Sequence, residues 1–563
     1  MQNSSTHAPQ AWITRFDALI GGEVAADAPL AGLRFAVKDN IDVAQVPTTA
    51  ACPAYAYTPQ KHAHVVERLL SAGAQAAGKT NLDQFACGLN GTRSPYGAVP
   101  NSFDARYVSG GSSSGSAYAV ATGEVDFALG TDTAGSGRVP AGLNNIVGLK
   151  PSRGLLSARG VVPAAPSVDC VSIFARTVGT AVQVLKAAQG YDAADPYSRA
   201  LTLDETPFPA RFRFGVPDVL NFFGDAQAEL AFKEAIERTE ALGGVRSDIA
   251  YAPLAEAAGL LYDSALVAER YAALREFVDQ YEGEVIEPVR SILTGGRRYS
   301  AADLVDAQLR LRALAQRVGP MWEGIDVLLV PTAPTHYTIE AMQQDAVTLN
   351  RNLGAYTNFV NLLDYAAISV PSSMRADGLP FGVTLIAPCG ADLRLADLGQ
   401  RYHHATGLPQ GATGQALPEP VAILGPAIGQ APEAATVRVA VVGAHLSGMP
   451  LNGQLTERGA TLVAATHTAP EYRLYALPGT VPPKPGMVRV PVGEGHAIAV
   501  EVWEMPAVHY GSFVALIPWP LGIGTITLAD GSTVQGFVCD ALALNGAEDI
   551  SHHGGWRAYI ASR

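Results

Sequence analysis

The order of apolar and polar positions divides the chain into two halves of different character. Between about residues 30 and 405, short runs of β-branched and apolar residues alternate with stretches of helical spacing. GLRFAVKD (32–39), AQAAGKTN (74–81), VDFALGTD (125–132) and GIDVLLVPT (324–332) predict strands. HVVERLLSAG (64–73), with Val65, Val66, Leu69 and Leu70 on one face, and SGSAYAVATG (114–123) predict helices. This alternation implies an α/β fold, a largely buried sheet covered by helices. From 408 to 436 the chain is rich in Pro, Gly and Ala and loses periodicity, which predicts a linker. Beyond it VRVAVVGA, ATLVAATHT, YRLYAL, AIAVEVWEMP and SFVALIP read as strands, and Asp530-Gly531 between alternating runs predicts a hairpin. The expected organisation is one domain over 1–407, a linker over 408–436, and a smaller, mostly β domain over 437–563.

Composition narrows the class. At 563 residues the chain exceeds one ordinary core, and 48% hydrophobic with 16% charged residues describes a globule. No run approaches the ~18 apolar residues of a membrane span. The opening MQNSSTHAPQAWITRFD has neither the basic nor the apolar region of a secretory signal, so a cytoplasmic protein without membrane partners is expected. A net charge of −13 disfavours nucleic-acid binding but leaves room for a small anionic substrate. Five scattered cysteines with no CxxC pair argue against a disulfide framework or a zinc site.

Two motifs invite misreading. Residues 73–80, GAQAAGKT, match the phosphate-loop pattern, but a helix precedes them and the motif itself reads as a strand, the reverse of what phosphate binding needs. Gly111-Ser112-Ser113-Ser114-Gly115 matches the nucleophile elbow with Ser113 at its centre, yet a loop, not a strand, leads into it.

Three other segments carry chemistry together. Lys38 ends a short apolar strand; YVSGGSSSGSAYAVATG places a Gly/Ser loop at a helix entry; LGTDTAGSGRVPAG sets Ser136 after a strand between Gly135 and Gly137. Amide hydrolysis needs a nucleophile, a base and donors for the oxyanion. A lysine made neutral by burial can be that base. These motifs resemble the amidase signature family, over roughly residues 30–405. The resemblance implies that family's fold, a mixed central sheet covered by helices. It also implies Lys38 as base, Ser112 as bridge and Ser136 as nucleophile, with backbone N–H groups from Thr133, Ala134, Gly135 and Ser136 holding the oxyanion. It implies no cofactor or metal.

Within that family FACGLNGTRSPYGAVPN and LYDSALVAERYAALREF are similar to the allophanate hydrolases, whose tyrosine and arginine, eight residues apart, match Tyr262 and Arg270. The resemblance implies that these two hold the carboxylate of a small anionic amide, within urea or s-triazine nitrogen catabolism, in a homodimer. On one continuous helix they would stand ~12 Å apart; a cap at Asp263 or Ser264 would leave Tyr262 in the preceding turn and let Arg270 point back. An amphipathic surface arginine is the plainer alternative. The C-terminal half is similar to the γ-glutamylcyclotransferase-like domain of the same hydrolases, thought to assist decarboxylation of the first product. There His445, after the strand VRVAVV and with Asn452 nearby, is the candidate and His496 its rival; a stabilising or dimerising role is the alternative. Other signature amidases acting on malonamide-like or biuret-derived amides, a component of an amidotransferase, and a non-catalytic binding protein of this fold remain open.

Overall fold

The computed structural model describes residues 8–22, 25, 27–424 and 436–563. It divides into two compact units, Met1–Gly425 and Pro426–Arg563.

The first unit is built on eleven strands: β1 (Trp12–Ile20), β2 (Arg34–Lys38), β3 (Gln75–Thr80), β4 (Phe127–Asp132), β5 (Val147–Lys150), β6 (Cys170–Ala175), β7 (Phe212–Pro217), β8 (Gly244–Ile249), β9 (Val327–Pro331), β10 (Tyr365–Met374) and β11 (Pro380–Pro388). They form one mixed sheet in the order β1-β3-β2-β4-β6-β5-β10-β11-β9-β7-β8. β4, β5, β6 and β9 are buried along their whole length, which explains their near-continuous apolar sequence. The helices that matter below are α1 (His64–Ser71), α2 (Ser114–Ala121), α3 (Val139–Leu143), α4 (Val178–Ala188), α5 (Ala226–Ala241), α6 (Ala252–Asp263) and α7 (Ala268–Tyr281). α1 buries Val65, Val66 and Leu69 as its spacing predicts. It precedes β3, so GAQAAGKT is a helix–turn–strand; its Lys79 is buried against Asp39 at 2.9 Å.

All four strands predicted in this half are found, as β2, β3, β4 and β9. The linker expected over 408–436 behaves differently. Its residues 425–435 lie outside the described residues, but 408–424 is a strap fastened to the first unit. Asn145 Nδ2 donates to the carbonyls of Pro409 and Gly411, both at 3.0 Å, and Gln400 Nε2 to that of Val421 at 2.7 Å. Ile423 is buried in the main core. Side-chain amides reaching across from distant elements satisfy the backbone of a segment that lacks periodicity of its own.

The second unit contains β12 (Thr436–Val441), β13 (Thr461–His467), β14 (Tyr472–Ala476), β15 (Pro485–Arg489), β16 (Ala499–Pro506), β17 (Leu521–Thr527), β18 (Thr533–Cys539) and β19 (Glu548–Asp549). They make a five-stranded sheet, β13-β16-β12-β18-β17, and a three-stranded one, β15-β14-β19. β17 and β18 form the hairpin over Asp530-Gly531, where Gly531 has φ +83°. SFVALIP is not a strand. A helix covers Ala507–Val514, burying Phe513, and a turn follows. Its apolar run is too short to distinguish a strand from a helix that presents one side to the core. Among the described residues no helix is long and apolar enough to cross a membrane.

Candidate active site

The site grows from the ends of two neighbouring parallel strands. β2 delivers Lys38 and β4 delivers Thr131, and the lysine, wholly buried, donates to Thr131 Oγ1 and Ser112 Oγ at 2.7 Å each. Burial lowers the pKa of this ammonium to about 7, although Asp83, Asp169 and Asp132 each pull it upward through space. Near neutral pH a large share of the molecules therefore carry a free amine here.

Ser112 sits in the loop before α2, after a cis Gly111–Ser112 peptide bond. Asp83 N–H donates to the Ser112 carbonyl at 3.1 Å, and a Cβ on Gly111 would come within 2.1 Å of Asp83 Oδ2. Only glycine lets the loop lie against that carboxylate. The neighbouring Ser113 is not a nucleophile: its Oγ bridges the backbone of Thr131, accepting from the N–H at 3.3 Å and donating to the carbonyl at 3.2 Å.

Ser136 follows β4 on a loop locked from below by a fully buried ion pair. Arg138 holds Asp132 in two-point fashion, Nε to Oδ2 at 2.9 Å and Nη2 to Oδ1 at 3.0 Å. Burial opposes ionisation of Asp132, but Arg138, Lys150 and the Gly137 N–H overcome it and hold its carboxyl below the usual range. The free lone pairs of Asp132 take the backbone N–H of Gly135 at 2.9 Å and Gly137 at 3.0 Å. Gly135, expected as an oxyanion donor, therefore has its N–H committed to Asp132. Its role is steric: φ is +135°, and a Cβ would meet Thr357 Oγ1 at 2.4 Å. No acceptor among the described residues takes the N–H of Thr133, Ala134 or Ser136. Ser136 Oγ donates to the Gly88 carbonyl at 3.3 Å, and no hydrogen bond joins it to Ser112 in this arrangement.

Tyr262 and Arg270 do meet. α6 ends at Asp263, Ser264 caps the next turn by accepting from Leu266 N–H at 3.2 Å, and α7 starts at Ala268. The break that capping predicts is at Ser264, with Tyr262 on the last turn of α6 and not beyond it. Arg270 folds back so that its Nη2 lies 3.5 Å from Tyr262 Oη and its guanidinium 5.3 Å from the ring centre. It is no surface residue: it is 2% exposed, and its Nε and Nη1 have no hydrogen-bond partner. Asp169 is linked to both this pair and the loop before Ser136, through the charge of Arg270 and the hydroxyl of Thr133. It accepts from Thr133 Oγ1 and from Ala164 and Ala165 N–H at 2.8 and 3.0 Å. Burial raises its pKa to about 6 against those bonds and the charge of Arg270. Thr131, Asp132, Arg138, Asp169 and Gly88 escaped sequence reasoning; the acid and arginine flanking TAGSG in DTAGSGR were the one available signal.

In the second unit His445 lines a cavity of about 170 Å³ with Gln454, Lys484 and Phe537. Its Nε2 is 2.9 Å from Gln454 Oε1 and its ring stacks on Phe537 at 4.9 Å. Burial lowers its pKa, opposed by Gln454 and aided by Lys484. Asn452 donates to the His445 carbonyl at 2.9 Å and so supports the loop. His496 is exposed and bridged through its backbone to Tyr472, away from the cavity.

Comparison with known proteins follows the same division. Residues 12–396 match the family model for Amidase, and 437–561 the Allophanate hydrolase C-terminal domain. The allophanate hydrolase of Kluyveromyces lactis superposes with a TM-score of 0.74 at 40% identity, over 98% of this chain and 93% of that one. The urea amidolyase of Saccharomyces cerevisiae is 42% identical over 94% of this chain, which spans only 30% of that relative's length. The urea amidolyase of Lachancea kluyveri is 43% identical, again over 94% of this chain and 30% of its own. The chain thus belongs to the amidase family, and after its amidase domain it carries the C-terminal domain of the allophanate hydrolases.

Proposed function

We propose that the first unit hydrolyses allophanate, releasing ammonia and N-carboxycarbamate, with Ser136 as nucleophile, Ser112 as relay and Lys38 as base. One observation carries the choice of substrate: a buried arginine with two unpartnered N–H groups lies beside Tyr262, which packs in one cluster with Ala134 of the Ser136 loop. An unmatched buried cation is costly, and a substrate carboxylate supplies its missing partner. Tyr262 Oη adds a further donor. An amide without a carboxylate leaves that cation unpaired.

The chemistry follows from the trio. Neutral Lys38 accepts the Ser112 proton as Ser112 accepts that of Ser136, once Ser136 Oγ turns from Gly88 towards Ser112. Ser136 Oγ bonds to the terminal ureido carbon, and the N–H groups of Thr133, Ala134 and Ser136 stabilise the oxyanion. The relay returns the proton to the nitrogen as the C–N bond breaks, and ammonia leaves. Water, deprotonated by the same relay, then cleaves the acyl-enzyme and frees the dicarboxylate.

In the same reading His445 serves decarboxylation of that product, in a cavity that also presents Lys484. The expected homodimer belongs to this proposal; a monomer at micromolar concentration in sedimentation velocity overturns it. The deciding experiment is ammonia release from allophanate, malonamate, biuret and an aliphatic amide. Preference for allophanate, abolished in Ser136→Ala, is the expected result. A flat profile across the four removes the role given to Tyr262 and Arg270.

A further inference from the structure

Two cavities reach Tyr262 from different sides, and their charges differ. One, of about 220 Å³, is lined by Arg93, Arg298, Arg351, Ser291 and Asn350, with no acidic side chain. The other, about 630 Å³, is lined mostly by apolar and aromatic residues such as Phe223, Tyr251 and Tyr356, together with Asp218 and Asp263. Arg351 borders both and pairs with Asp263 at 2.8 Å across an exposed rim. The remaining two arginines have no carboxylate partner among the described residues. Arg93, 4% exposed, donates from Nη1 to the Cys87 carbonyl at 2.8 Å and leaves Nε unpartnered. Arg298 lies over its neighbour Tyr299, 4.7 Å from the ring centre, and donates to its hydroxyl at 2.6 Å. A short run of bonds ties the smaller cavity to the Ser136 loop: Arg93, which lines it, holds the Cys87 carbonyl, and the carbonyl of the next residue, Gly88, receives Ser136 Oγ.

We propose that the arginine-lined cavity is the substrate entrance, a vestibule that collects small carboxylate-bearing amides and hands them to Tyr262 and Arg270. This rests on the reading of the site given above. A protein of net charge −13 repels anions on average, so an anionic substrate needs a local field of the opposite sign. Arg298 and Arg351 stand at the exposed mouth and Arg93 at its buried end, a gradient running inward. The acid-bearing apolar cavity offers an anion nothing comparable.

The test is kcat/KM for allophanate and for neutral biuret at low and high salt, in wild type and in the Arg298→Gln/Arg351→Gln double variant. Arg310→Gln/Arg317→Gln, the same loss of two exposed charges elsewhere on the first unit, is the control. Steering raises encounter by about 10-fold or more at low ionic strength, and its screening length shrinks to about 3 Å in 1 M salt. The wild-type kcat/KM for allophanate should therefore fall several-fold with salt. The double variant should start about 5- to 10-fold lower with kcat within twofold of wild type, and the gap should close in high salt. Biuret turnover should show neither effect, and Arg310→Gln/Arg317→Gln should keep the wild-type allophanate rate and its fall with salt. Allophanate turnover that is intact but indifferent to salt and to the double variant overturns the vestibule alone. So does an equal loss on biuret. Absence of allophanate turnover in the wild type overturns the functional reading, and the vestibule with it.

Discussion

Lys38 and Lys79 lie on adjacent strands of one sheet, and both are closed off from water. Lys79 faces a carboxylate, Asp39 Oδ1, at 2.9 Å, and the hydroxyl of Thr48 at 3.1 Å. Lys38 faces two hydroxyls at 2.7 Å, and the acids that act on it do so only from a distance. Burial lowers both pKa values, but Asp39 works against it at Lys79 through charge and hydrogen bond together. Identical side chains at equal depth thus face different partners, and the proposed function gives the role of base to Lys38 alone. What separates them is the partner, an anion in one case and alcohols in the other, so burial alone does not identify a catalytic lysine.

The largest effects should break the trio and spare the scaffold. Ser136→Ala and Lys38→Ala should each lower kcat for ammonia release by about a thousandfold or more, with thermal unfolding close to wild type. Lys79→Met should do the reverse: it strands Asp39 in the core and costs about 3–5 kcal/mol of stability, while kcat per folded molecule changes less than threefold. Denaturant melts beside single-turnover assays distinguish the two, and an exchange of these phenotypes would overturn the comparison. The pH profile sharpens it. Lys38 must lose its proton to act, so kcat/KM should climb as pH rises through about 7 and level off above it. A profile flat from pH 6 to 8 contradicts a base with that pKa.

Smaller effects belong to the carboxylate pair. Arg270→Gln should raise the allophanate KM by about 30- to 100-fold, the loss of one charge-assisted contact, and Tyr262→Phe by about 5-fold. The smallest is expected at His445: His445→Ala should change ammonia release by less than twofold while slowing carbon dioxide release from the same reaction.

Which of these features the sequence disclosed depends on how local they are. The strand that carries Lys38 and the strand that leads into the Ser136 loop follow from runs of apolar residues, and the break between Tyr262 and Arg270 from the capping candidates Asp263 and Ser264, of which Ser264 makes the cap. Thr131 stays hidden because a threonine in a strand carries no mark of its partner, and Lys38 is 93 positions away from it. The Gly135 N–H is misassigned for a related reason. A glycine loop predicts permissive backbone but not which acceptor captures its donors, and Asp132 does so only because Arg138 fixes both carboxylate oxygens. The helix at Ala507–Val514 goes unseen because its apolar residues have no clear period. Periodicity reports the side an element buries; hydrogen bonds between distant residues leave no trace in it.

The strap over 408–424 bears on how the two units can be taken apart. Its Ala412 N–H donates at 2.9 Å to the carbonyl of Ala121, the last residue of α2, and α2 is the helix that the Ser112 loop enters. Lys186 reaches its far end, donating to the Ile423 carbonyl at 3.2 Å. A gene shortened to codon 407 would thus strip the first unit of its own edge, open the socket of Ile423 and unseat the helix that follows Ser112. A gene ended after codon 424 keeps every one of these bonds, so a separately expressed first unit has to include the strap.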